Sequence, residues 1–104
     1  MKTFLQPQQI AERLIAELRA DGLTDYPFIP ADLDKEIERW CEANEVEPVS
    51  GILVREVMAT LPGVDRTRPW LNQRTAEHRY IRRRQRAHGE ESDRPTIYRI
   101  WGRD

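Results

Sequence analysis

Arg79-Tyr80-Ile81-Arg82-Arg83-Arg84-Gln85-Arg86-Ala87, then His88-Gly89-Glu90-Glu91-Ser92-Asp93, then Thr96-Ile97-Tyr98-Arg99-Ile100-Trp101 is the stretch whose reading decides the fold. Residues 96–101 are β-branched and aromatic nearly throughout, the strongest strand signal in the chain. Residues 79–87 admit two readings: a helix stopping at Gly89, or a strand entering a turn over 88–93. A strand needs a partner, and 79–87 is the only segment at hairpin distance from 96–101. The pairing requirement therefore predicts a β-hairpin.

Upstream the pattern is helical. Pro7 suits a first helical turn and Gly22 a position just past the end. Between them Ile10, Leu14 and Leu18 recur every four residues, widened by Ile15. Thr24–Pro30 is an ordered connector carrying Tyr26, Phe28 and Ile29. Pro30 opens a second helix with Leu33, Ile37, Trp40 and Cys41 on one face, ending near Asn44. Ser50 is placed to cap a third, marked by Ile52, Leu53, Val57, Met58 and Leu61 and closed by Pro62-Gly63. Thr67 is read as the cap of a fourth, with Pro69 in its first turn and Trp70, Leu71, Thr75 and His78 facing inward.

The net charge of −1 hides two opposed halves. Residues 1–61 carry 6 basic and 12 acidic side chains, whereas 62–104 carry 11 basic side chains, all Arg, against 6 acidic. Such asymmetry points to a polyanionic partner at one end, and the planar guanidinium suits phosphate oxygens and guanine edges. The plainer alternative is a solvated Arg surface balanced by the acidic half.

Several classes drop out. The longest apolar runs, such as Ile52-Leu53-Val54, have three residues, too few to cross a bilayer. Met1–Pro7 has no apolar leader core, and Cys41 is a lone cysteine, so a cytoplasmic protein without internal disulfides is expected. His78 and His88 match no zinc spacing, and no Gly-rich loop with Lys cradles a nucleotide. Neither an enzyme nor a cofactor is read here.

The order helix, helix, turn, helix, basic hairpin resembles the winged helix-turn-helix domains of bacterial and phage DNA-binding regulators. The resemblance runs from about Asp32 to Trp101, with Ala59 and Gly63 at the small-residue and turn-glycine positions. Residues 80–84 and 93–100 are similar to a wing. The turn from Gly63 to Thr67 is longer than the strict motif, and Pro69 stands at a usually apolar position.

The expected fold is thus α+β: a three-helix core with a C-terminal hairpin wing over residues 31–104, preceded by an extra helix and connector over 1–30. What the resemblance implies is sequence-specific binding of double-stranded DNA by a small transcription regulator of phage or mobile-element type, with a homodimer contact through residues 7–21. Asn72 and Gln73 would read base edges from the fourth helix. Arg66, Arg68 and Arg74 would flank them, and Arg82, Arg84 and Arg86, with Arg94, would line the wing along the phosphates. The competing expectation is a protein-binding winged helix whose Arg row grips an acidic partner and adapts a nucleic-acid-processing complex. Single-strand binding ranks last, because it needs exposed aromatics beside Arg and only Tyr80 and Tyr98 are candidates.

Overall fold

The computed structural model describes residues 1–102. In chain order they form α1 (Pro7–Ala20), β1 (Pro27–Phe28), α2 (Pro30–Ala43), α3 (Gly51–Met58), β2 (Val64–Thr67), α4 (Ala76–Ala87) and β3 (Ile97–Ile100). The strands make one antiparallel sheet in the order β1-β3-β2. The protein is α+β, and among the described residues no helix is long and apolar enough to cross a membrane.

The first three helices begin and end where local chemistry directs. Proline opens α1 and α2, where its missing N–H costs nothing. Gly22 and Gly63 take φ of +71° and +74° beyond α1 and α3, a region that glycine enters without steric cost. At Gly51 any side chain would crowd Asp34. A Cβ there would lie 2.3 Å from Asp34 Oδ1, which accepts from Arg55 Nε at 2.8 Å.

Two apolar clusters sandwich the sheet. The larger unites Ile10, Leu14, Ile15 and Leu18 of α1 with Leu33, Ile37 and Trp40 of α2, Val54 and Met58 of α3, and Tyr98 and Ile100 of β3. The smaller holds Ile29, Leu71, Ile81 and Ile97. Alternate residues of β3 point to opposite faces, so a central strand buried on both sides reads as the nearly continuous apolar run seen at 97–101.

Two expectations are corrected. The first concerns 79–87, which is not a wing strand but lies within α4. Thr75 Oγ1 accepts from the His78 N–H at 3.1 Å, Glu77 sits in the first turn, and Arg84 and Arg86 sit in the last, where the helix dipole favours them. The buried positions, Ile81 and Gln85, are four apart, a helical and not an alternating period. The partner that 97–100 required is supplied twice, by β1 on one side and β2 on the other.

The second concerns 67–75, which is not a helix. Val64–Thr67 pairs with Ile97–Ile100, and the following link is tied down by the Leu71 N–H donating to Asp93 O at 2.7 Å. Leu71 is buried there as expected, but Trp70 and Thr75 are exposed and Asn72 and Gln73 lie on no helix.

Residues 1–30 join the larger cluster, where the apolar stripe of α1 packs chiefly on α3. The outward residues Gln8, Glu12, Arg13 and Glu17 are polar.

Candidate nucleic-acid interface

The long link between β2 and β3 contains α4 and carries eight of the 17 basic side chains. Helical geometry sorts them by direction. Arg79, Arg83 and Arg86 fall at i, i+4 and i+7, all exposed on one face, and none has an ion-pair partner among the described residues. Arg83 lies 6.0 Å from the Tyr80 ring centroid.

The intervening arginines face the protein. Arg82 Nη2 donates to Leu71 O at 2.6 Å and to Asp93 Oδ1 at 3.1 Å, fastening the links on both sides of α4 to the helix. Arg84 makes a bidentate pair with Asp32, Nε to Oδ2 and Nη2 to Oδ1, both at 2.8 Å. His88 Nε2 donates to the same Oδ1 at 2.8 Å. The expected row of Arg82, Arg84 and Arg86 is therefore split, with only Arg86 outward. Arg79 and Arg83, which the strand reading passed over, complete the outward row. The helical spacing alone would have found them.

The other expected residues spread over β2 and the rest of the link. Arg66, on β2, pairs with Glu56 of α3 at 2.8 Å. Asn72, Gln73 and Arg74 are exposed and consecutive, just before the Thr75 cap. Arg94 Nε donates to Arg68 O at 3.1 Å, and its guanidinium sits 5.1 Å from the Trp70 ring centroid. Trp70, expected inside, is 57% exposed, so an aromatic beside arginines is present on the surface after all. Trp101 is also exposed, with its Nε1 donating to Asp65 Oδ2 at 2.6 Å.

Asp32 is the electrostatic anchor of α4. Hydrogen bonding from Arg84 holds its carboxyl below the ordinary 3.8, burial opposes this, and His88 adds to the lowering. A lowered native pKa stabilises the fold above the unfolded value and loses that contribution as pH falls through the native value. Asp32→Asn is expected to cost about 1–2 kcal/mol near neutral pH, a value moderated by the 39% exposure of the Arg84 side chain. In urea melts over a pH series, the gap between the two proteins should stay constant down to about pH 5 and close below 3.8. A gap that widens on acidification would contradict the assignment.

The outward face of α3 has a different character. Ile52 and Leu53 are 61% and 54% exposed, and Glu56 stands beside them. Burial pushes the Cys41 thiol up, which keeps it protonated and inert. No family model, curated protein or solved structure matches the chain.

Proposed function

We propose that the protein binds double-stranded DNA through the arginines of its β2–β3 link, as a small transcription regulator of winged-helix type. The observation that carries this reading is the outward row Arg79, Arg83 and Arg86 on α4, which is free of carboxylate partners among the described residues. Spaced along one helix face, these guanidiniums suit successive backbone phosphates. Arg74, Asn72 and Gln73 adjoin the start of α4, and the amides of Asn and Gln are the side chains that read adenine edges.

The winged-helix reading draws support from the order of elements, with different segments in each role from those read in the sequence. Helix, strand, helix, helix, strand, helix, strand, with the sheet order β1-β3-β2, fits that frame once α4 is taken as an insertion between the last two strands. In it α1, α2 and α3 are the three-helix core and β2–β3 is the wing, enlarged by α4. The link between α2 and α3, residues 44–50, is longer than a strict helix-turn-helix turn.

One observation favours a second reading. The outward side chains of α3, where that frame would put base-reading groups, include Ile52, Leu53 and Glu56, which donate no hydrogen bond to a base. A protein partner met by α3, with the Arg row gripping its acidic surface, accounts for both faces.

Fluorescence anisotropy with a labelled random-sequence duplex separates the two. The DNA reading expects saturable binding at 50 mM salt that weakens steeply by 200 mM. No binding at 50 mM salt would reject it in favour of the protein-binding module.

A further inference from the structure

We infer that the groove between α3 and β2 is a binding site for a phosphate group. The groove encloses about 470 Å³, and three guanidiniums line it: Arg55 from α3, Arg66 from β2 and Arg68 just beyond. The side chains of Thr67 and Thr96 add two hydroxyl donors, and Tyr98 belongs to the same lining. A tetrahedral anion offers several acceptor oxygens to such a set of forked and single donors.

The three arginines have different attachments. Arg55 is fixed: its Nε donates to Asp34 at 2.8 Å and its guanidinium lies 5.9 Å from the Tyr98 ring centroid. Burial works against its charge, but bonding to Tyr98 and Asp34 outweighs this and keeps it charged. Arg66 is held by Glu56 alone among carboxylates, in a pair with both side chains more than a third exposed, and such a pair is weak. The Arg68 guanidinium has no carboxylate partner among the described residues. Glu56 thus occupies the groove as an internal anion that a phosphate, with more charge and more acceptor oxygens, displaces from Arg66.

Free phosphate and a nucleic-acid backbone share this chemistry. The inference stands apart from the duplex reading, because an inorganic anion tests it without DNA. The experiment titrates pyrophosphate into the full chain at constant ionic strength and follows the Arg Nε–Hε signals by NMR. The signals of Arg55, Arg66 and Arg68 should move together and saturate. Arg68→Ala should weaken binding about tenfold, and Glu56→Gln, which frees Arg66, should tighten it about threefold or more. Arg13→Ala, on the outward face of α1, should change nothing. Absence of a saturable shift, a loss equal in Arg13→Ala, or weaker binding by Glu56→Gln would overturn the inference. Anisotropy with pyrophosphate as competitor then identifies the source. Release of a bound duplex supports seating of a backbone phosphate, and retention supports a free anion. A protein that binds pyrophosphate but no duplex would refute the DNA reading and leave the groove standing.

Discussion

The combined substitution Arg79→Ala, Arg83→Ala and Arg86→Ala is expected to weaken duplex binding about a hundredfold at 0.15 M salt. Each phosphate contact contributes about 0.9 to the slope of log affinity against log salt, so removing three should flatten that slope by about 2–3. The melting temperature should hardly move, because the three side chains are exposed and carry no ion pair among the described residues. Anisotropy titrations at several salt concentrations, with thermal melts of both proteins, check the two halves together. Arg82→Ala and Arg84→Ala should behave in the opposite way. They remove the ties to Leu71, Asp93 and Asp32, so stability falls before any phosphate contact is lost. An unchanged slope in the triple variant would mean that the outward row meets no DNA.

Ile81→Ala is expected to cost about 2–4 kcal/mol, lowering the melting temperature by about 10 °C or more. Ile81 is 1% exposed and is the only residue that α4 contributes to the buried set of the smaller cluster, with Ile29, Leu71 and Ile97. Truncation leaves a cavity between helix and sheet that these neighbours, fixed by strand pairing and by the Leu71–Asp93 hydrogen bond, fill only in part. The remaining ties include the Arg82 bonds, the Asp32 cluster, Glu77, which accepts from Arg99 of β3, and Gln85, whose Nε2 donates to Ser92 O at 3.1 Å. Hydrogen exchange should therefore rise first in α4 and the links beside it, ahead of α1 and α3. Ile52→Ala, on an exposed α3 position, serves as the contrast, with an expected change within about 0.5 kcal/mol. Equal losses at the two sites would contradict the packing described for α4.

The sequence made the first half of the fold readable because helical signals there are local. Pro7, Gly22, Pro30, Ser50 and Gly63 mark boundaries, and the apolar residues of α1 and α2 keep one period, whereas α3 buries Val54 and Met58 and leaves Ile52 and Leu53 exposed. The second half failed at one step. Ile97–Ile100 has to pair, but nothing local says that its partners are a two-residue strand near Phe28 and a polar strand at 64–67. Val64 is the only buried residue of β2, so its sequence shows no apolar alternation. The pairing requirement is met, but by segments distant in sequence and not by the nearest one.

The cost of that step fell on the candidate interface. Treating 79–87 as a strand grouped Arg82 with Arg84 and Arg86, whereas helical spacing groups Arg86 with Arg79 and Arg83. The charge asymmetry points to residues 62–104 as a whole, and a strand period within it selects a row of arginines that the helix splits. The exposure of Trp70 had no local signal, since burial of its neighbour Leu71 depends on β3 and α4.

The central claim, that the outward face of α4 meets a duplex, is tested most directly by mapping amide shifts in a ¹⁵N-labelled sample titrated with a short duplex. Perturbations should concentrate over residues 72–87, strongest near Arg79, Arg83 and Arg86, with Ile52 and Leu53 unmoved. Shifts confined to the outward face of α3, or no shifts at low salt, would contradict it.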